Sequence, residues 1–132
     1  MIAIDSSAVI AIMLCEAGHE EYVTVLALDT APLMSAANYL ESAMVLTRRS
    51  SPREELDQWL DHFGVDVTPV DLAQARLAAD VFARYGRGRH PARLNYGDCF
   101  AYALAASRGI PLLYKGTDFA KTDIQSALAT PT

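Results

Sequence analysis

Apolar and polar positions follow two alternating kinds of pattern along this chain. Short strand-like segments of apolar or alternating residues lie at 1–4, 33–35, 65–70 and 110–114. Longer segments with helical spacing or helix-start and helix-end residues lie between and around them, at 8–14, 19–29, 36–49, 52–63, 72–85 and 98–108. Strands that alternate with helices predict an α/β fold with a mostly parallel sheet of four to five strands, covered by helices on both faces.

The composition indicates one globular domain spanning residues 1–132. Hydrophobic residues make up 52% of the chain and charged residues 20%, which is typical of a protein with a single packed core. The net charge of −5 argues against a protein that coats nucleic acid by bulk charge, although a local basic strip remains compatible with it.

We expect a cytoplasmic protein with no membrane segment. No apolar run approaches the length of a membrane span, and the first residues lack the features of a signal peptide. Cys15 and Cys99 have no metal-site spacing, and their apolar surroundings predict buried thiols in a reducing compartment.

Four acids come from distant segments that the predicted sheet brings to one edge. Asp5 follows the first strand, Asp118 follows the fourth strand after a short turn, and Glu41 lies one turn into the helix after the second strand. Asp98 lies at a helix start that can face the same edge. Taken singly, Asp5 and Asp98 are compatible with helix caps and Asp118 with a turn residue. Together they predict a site beyond the carboxyl ends of the strands.

Carboxylates held close together repel one another and take up protons unless a cation lies among them. An oxygen-only cluster, with no His or Cys in register, favours Mg²⁺ or Mn²⁺ over zinc. Such ions activate water and neutralise charge on phosphodiesters. The four acids therefore predict metal-dependent cleavage of a phosphoester.

A basic loop precedes Asp98 and is predicted to span residues 84–93. Arginine pairs well with phosphate oxygens, and Tyr85 or Tyr96 could stack on an unpaired base. A solvated, mobile loop is the alternative. The residues predicted to bind RNA are Arg84, Arg87, Arg89, His90 and Arg93.

The order of four short motifs resembles the PIN-domain proteins, and more narrowly the VapC toxins of bacterial type II toxin–antitoxin pairs. The motifs are Asp5–Ala8, Tyr39–Glu41, Leu94–Cys99 and Lys115–Phe119. The resemblance implies a three-layer α/β/α sandwich around a parallel sheet. It also implies a Mg²⁺- or Mn²⁺-dependent endoribonuclease.

By position, the resemblance assigns catalytic and metal-binding roles to four acids. Asp5, Glu41 and Asp98 match the most dependable acids of the family, and Asp118 matches the fourth. Asp123 is an alternative for that fourth position.

The resemblance further implies supporting residues and partners. Ser7 and Thr117 match small hydroxyl residues that orient metal-bound water. A VapB-like antitoxin would wrap the toxin with its C-terminal segment and place an arginine in the acidic pocket. Homodimers are also implied, for which the helices around 22–28 and 40–46 could supply apolar surface.

Two alternatives to the ribonuclease remain open from the sequence. A phospho-receiver signalling domain also has an α/β fold with clustered acids, but this chain lacks a pair of adjacent acids after its first strand. A PIN domain that binds RNA or a partner without cutting it is the second alternative.

Overall fold

A computed structural model describes residues 1–128, which form four strands and six α-helices. A single 3₁₀ turn, Phe119–Lys121, follows the last strand. The elements in chain order are β1 (Ala3–Ile4), α1 (Ser6–Met13), α2 (His19–Leu28), β2 (Leu33–Ser35), α3 (Ala36–Arg48), α4 (Arg53–Phe63), β3 (Asp66–Thr68), α5 (Leu72–Tyr85), α6 (Tyr96–Arg108) and β4 (Leu112–Leu113).

The sheet has the strand order β3-β2-β1-β4, and each neighbouring pair is parallel. Ala3 pairs with Leu33 on one side and with Leu112 on the other. Beyond β4, Ser126 forms an isolated parallel bridge with Leu112. The predicted parallel sheet of four to five strands is thereby confirmed.

Helices pack on both faces of this sheet. Successive side chains of a strand point to opposite faces. Ala3 and Leu112 therefore pack into a core with residues of α5 and α6, whereas Ile4 and Leu113 pack into a second core with α1, α2, α3 and α4. The two cores confirm the predicted three-layer α/β/α arrangement.

The course of the chain leaves a crevice at the carboxyl ends of β1 and β4. From β1 the chain moves outward through β2 to β3, and it then returns to place β4 on the other side of β1. The backbone N–H of Asp5 donates to the carbonyl of Leu113 at 2.9 Å, so the two strand ends are held side by side. In open α/β sheets, ligands bind at such a reversal of strand order.

Several predicted boundaries are wrong by a few residues. β3 and β4 are shorter than predicted, because each is paired only over two or three residues. α1 begins at Ser6 rather than Ala8, and α6 begins at Tyr96 rather than Asp98. The basic loop begins after Tyr85, because α5 continues through Arg84 and Tyr85.

The two cysteines differ in their exposure. Cys99 is buried on α6, as predicted, but Cys15 is exposed, because it follows the end of α1 at a positive φ of 51°.

Within residues 1–128, no helix combines the length and apolarity needed to cross a bilayer.

Candidate active site

Asp5 lies at the junction of β1 and α1, where it caps the helix with one oxygen. Its Oδ2 accepts a hydrogen bond from the backbone N–H of Ser7 at 3.0 Å. The side chain is buried, with 3% of the residue exposed, and Oδ1 has no hydrogen-bond partner among residues 1–128. The cap interpretation is therefore correct for one oxygen and leaves the other available to a ligand.

The pKa of Asp5 is raised from 3.8 to about 7, with burial as the largest cause and the negative charges of Asp98 and Glu41 as further causes. The hydrogen bonds from Ser7 act in the opposite direction, since they favour the ionised form. Without a bound cation, the carboxyl group of Asp5 is thus partly protonated near neutral pH. A cation in contact with Oδ1 would favour its ionised form.

Glu41 is held by polar groups from two helices. The hydroxyl of Ser6, at the start of α1, donates to Glu41 Oε1 at 2.5 Å, and Asn38 Nδ2 donates to the same oxygen at 3.2 Å. A Cβ added to Gly97 would lie 2.2 Å from Glu41 Oε2. Glycine at this position of α6 therefore leaves the space that the carboxylate occupies.

Asp98 occupies the first turn of α6 and takes part in a reciprocal cap. Asn95 Oδ1 accepts from the Asp98 backbone N–H at 2.9 Å, and Asp98 Oδ2 accepts from the Asn95 backbone N–H at 3.0 Å. The pKa of Asp98 is raised from 3.8 to about 6, with burial as the largest cause and the charges of Glu41 and Asp118 as further causes. The charge of each neighbouring acid thus favours the protonated form of Asp98.

Three of the predicted acids, Asp5, Glu41 and Asp98, line one cavity of about 400 Å³ at the carboxyl edge of the sheet. Residues of α1, α3, α6 and the segment after β4 enclose it. They are Asp5, Ser6, Ser7, Ile10, Glu16, Glu41, Val45, Asn95, Asp98 and Lys115.

Asp118 lies beside this cavity rather than in its lining. It lines an adjoining cavity of about 280 Å³ together with Arg87, Arg93 and Asn95. Asn95 lines both cavities, so the two are neighbours. The charge of Asp118 raises the pKa of Asp98, so Asp118 lies close enough to interact electrostatically with the acid cluster.

Asp123, the alternative fourth acid, is bound elsewhere. It accepts a hydrogen bond from the hydroxyl of Tyr102 and forms an ion pair with Arg84 at 3.5 Å. These contacts lower the pKa of Asp123, with the Tyr102 hydrogen bond as the largest cause. The geometry therefore favours Asp118 over Asp123 as the fourth acid.

The predicted RNA-binding residues fall into two groups. Arg87 and Arg93 line the cavity that contains Asp118. The others make contacts within the protein: Arg84 pairs with Asp123, Arg89 Nε donates to the Ala83 carbonyl at 3.0 Å, and His90 Nδ1 accepts from the Ala92 backbone N–H at 3.0 Å.

The two candidate stacking tyrosines also differ. Tyr85 is buried and packs against His90 and Tyr102, so the prediction that it could stack on a base is wrong. Tyr96 is 80% exposed at the start of α6. It remains available for such a contact.

The two predicted hydroxyl residues occupy different environments. Ser7 lines the acidic cavity, and its Oγ accepts from the backbone N–H of Lys115 at 3.0 Å. It therefore joins the start of α1 to the chain that leaves β4. Thr117 is exposed in the turn before Asp118.

The acids fit a partly hydrated divalent cation better than a closed protein cage. Within residues 1–128, no three Asp, Glu, His or Cys side chains are close enough to surround one ion. The cavity nevertheless offers carboxylate oxygens, including the buried and unpartnered Oδ1 of Asp5. Mg²⁺ and Mn²⁺ prefer oxygen ligands, and Mg²⁺ usually retains several waters. The donor set thus suits these ions.

Sequence reasoning missed several residues of the site. Asn38 could have been found, since it precedes Glu41 by three residues and so lies on the same helix face. Glu16 and Lys115 carry no local signal, because their contact joins segments 99 residues apart. Ser6 and Asn95 lie within the motifs Asp5–Ala8 and Leu94–Cys99, but the sequence predicts no role for either residue.

Sequence comparison agrees with this geometry. A family model described as the PIN domain matches residues 2–125. The chain belongs to the PIN-domain family. Ribonuclease VapC30 of Mycobacterium tuberculosis is 46% identical over 123 residues, covering 92% of this chain and 94% of that protein. Ribonuclease VapC42 of the same species is 44% identical over 127 residues, covering 94% and 97%.

Solved structures share the fold of this PIN domain at low identity. The M. tuberculosis toxin VapC20, described as cleaving the sarcin–ricin loop, has a TM-score of 0.75 and 19% identity over 94% of this chain and 96% of that one. A toxin–antitoxin complex from Klebsiella pneumoniae gives 0.71 and 16% over 100% and 98%. Membership of the PIN family confirms the resemblance and excludes the phospho-receiver alternative.

Proposed function

We propose that this PIN domain is the toxin of a type II toxin–antitoxin pair and acts as a Mg²⁺- or Mn²⁺-dependent endoribonuclease. The main support for this proposal is the cavity that Asp5, Glu41 and Asp98 share at the carboxyl edge of the sheet. Relatives that are 44–46% identical over most of the chain are also named ribonucleases.

Asp5 and Asp98 would hold the ion directly, Glu41 would complete or polarise its shell of ligands, and Asp118 would hold a second ion or metal-bound water. The bound ion would supply activation of water and neutralisation of charge at the phosphodiester. Ser6 and Asn38 keep Glu41 oriented through their hydrogen bonds. Ser7 and Thr117 would orient water in the site.

The basic loop supplies contacts for the RNA backbone. Arg87 and Arg93 line the cavity next to the acids, where their guanidinium groups would pair with phosphates on either side of the cleaved bond. Arg84, Arg89 and His90 would act nearby, from positions that also brace the loop. Tyr96 would stack on an unpaired base.

The proposal also includes a VapB-like antitoxin that binds this protein, a homodimer of the chain, and a location in the cytoplasm. Leu40 and Met44 are exposed, at 59% and 50%, and line a groove with Tyr96 beside Glu41. Exposed apolar side chains of this kind favour binding of a protein partner. A basic side chain of the antitoxin would be attracted to the acidic cavity.

Mapping of RNA ends in cells tests this proposal. Expression of the wild type should arrest growth and create new RNA ends, and Asp98→Asn should abolish both, because it removes one ligand charge. Asp80→Asn, at an exposed acid of α5, is the matched control and should behave as the wild type. New ends that persist at full level in Asp98→Asn would refute the assigned site. Their absence with the wild type would favour a PIN domain that binds RNA without cutting it.

A further inference from the structure

Among residues 1–128, the lining of the acidic cavity contains one positively charged side chain, that of Lys115, and four carboxylates. An RNA phosphate that approaches these carboxylates meets repulsion, which a bound divalent cation removes only in part. A cationic side chain within the same lining would attract that phosphate. Lys115 is therefore the lining residue best suited to contact the substrate.

The backbone fixes the position of Lys115 at the reversal of strand order. Its N–H donates to Ser7 Oγ at 3.0 Å, so the residue lies beside the start of α1, where Asp5 is also found. The chain reaches it directly from β4 through Tyr114, which is buried. This location is set by the sheet and by the Ser7 contact, and not by the conformation of the basic loop.

The ammonium group of Lys115 is held by an exchangeable partner. Its Nζ lies 2.9 Å from Oε1 of Glu16, and the two side chains are 36% and 35% exposed. Ion pairs at this level of exposure contribute little to stability. The pair therefore orients the side chain of Lys115 only weakly. The ammonium group can exchange Glu16 for a phosphate when RNA binds.

We propose that Lys115 binds a phosphate group of the RNA and that Glu16 holds the ammonium in the cavity until the RNA is bound. This inference rests on the proposed ribonuclease function. It assigns a substrate contact to the acidic cavity itself, in addition to the arginines of the neighbouring cavity.

Fluorescence anisotropy with a labelled single-stranded oligoribonucleotide tests this role. Binding is measured in Mg²⁺ over a series of salt concentrations, in an Asp98→Asn parent that prevents cleavage. We expect Lys115→Gln to weaken binding about tenfold, as for loss of a charge-assisted hydrogen bond. The slope of log affinity against log salt should fall in magnitude by about 0.7, the value for one phosphate contact on a single strand.

The control is Lys121→Gln, which removes the other lysine of the chain. Lys121 is exposed and lies outside the linings of both cavities, so this variant should keep the affinity and salt slope of the parent. Lys115→Arg keeps the charge and should restore most of the binding. Equal unfolding midpoints for all variants would exclude a structural cause.

Glu16→Gln tests the holding role. Removing its charge should tighten RNA binding when Lys115 is present and should have a smaller effect in the Lys115→Gln background, because the two side chains are coupled. Identical affinity and salt slope for Lys115→Gln and Lys121→Gln in a parent that binds RNA would overturn the inference alone. A parent that does not bind RNA at all would overturn the proposed function as well.

Discussion

Asn38 shows how one buried amide organises the acid cluster. It is 0% exposed, and its Nδ2 donates both to Glu41 Oε1 at 3.2 Å and to the backbone carbonyl of Gly97 at 3.0 Å. It thereby joins α3 to the first turn of α6, where Asp98 lies. Its two hydrogen bonds therefore link Glu41 to the helix that carries Asp98.

Asn38→Ala should lower the free energy of unfolding by about 1–3 kcal/mol, because the buried hydrogen bonds from Asn38 to Glu41 and to the Gly97 carbonyl are both lost. It should also weaken Mn²⁺ binding, since Glu41 loses one of its two hydrogen bonds. Chemical denaturation and metal titration measure the two effects. Ser42→Ala is the control, because Ser42 is equally buried one turn later but its hydroxyl donates to the backbone carbonyl of Asn38 and, in the described part of the chain, to no acid of the site. Metal affinities that are equal in the two variants would contradict the role of Asn38.

At the scale of the elements, two helix starts present acids to the cavity. Asp5 caps α1, and Asp98 accepts from the Asn95 N–H at the start of α6. Helix N-termini carry partial positive charge, which favours carboxylates placed there. Capping and metal binding are therefore compatible roles, since each carboxylate has a second oxygen to offer.

The approach of α3 to α6 depends on Gly97. Gly97→Ala should lower the free energy of unfolding by about 1–3 kcal/mol, because the added methyl group displaces the Glu41 carboxylate from its hydrogen bonds with Ser6 and Asn38. Metal affinity should fall as well, since the carboxylate must move away. Titration of Mn²⁺ into Gly97→Ala, Glu41→Ala and the double variant measures this. The double variant should be no weaker than Glu41→Ala, and additive losses would contradict displacement of Glu41 as the cause.

Local signals in the sequence were sufficient to predict most helices. α4 and α6 end at Gly64 and Gly109, which adopt φ values of 66° and 63° that favour glycine. The strands were predicted less well: β4 covers only Leu112–Leu113, although the apolar segment is longer. Strand length depends on where the neighbouring strands can pair, and a single sequence does not contain that information.

The site was predictable only where it follows from chain topology. Asp5 and Asp118 were found because they follow strands whose carboxyl ends share one edge. The contact of Asn38 with Gly97 spans 59 residues, and that of Lys115 with Glu16 spans 99. Such contacts depend on how helices pack around the sheet, so no local pattern indicates them.

At the scale of the whole molecule, the strand order creates the site. The return of the chain from β3 to β4 opens a crevice beside β1, and acids from α1, α3 and α6 reach it from both layers of helices. Neither core could stabilise this cluster of charges without a cation or protons. The metal-free protein should therefore hold protons that metal binding releases.

The raised pKa values define the pH range of this effect. Below about pH 4, Asp5 is protonated in both the folded and the unfolded chain, and its contribution to stability is retained. As the pH rises towards its folded pKa of about 7, the unfolded chain ionises first and the metal-free fold loses stability. Asp98, with a pKa of about 6, acts in the same direction. Metal affinity should rise with pH over this range, because fewer protons compete for the carboxylates.

Calorimetric titration of Mn²⁺ into the metal-free protein tests most directly whether these acids form one cation site. Titrations near pH 6 in buffers of different ionisation enthalpy measure the protons released. We predict release of about one proton or more at that pH, little release near pH 8, and no binding by Asp5→Asn, whereas Asp80→Asn behaves as the wild type. Binding without proton release at both pH values, or undiminished binding by Asp5→Asn, would contradict a metal site built on the buried carboxylate.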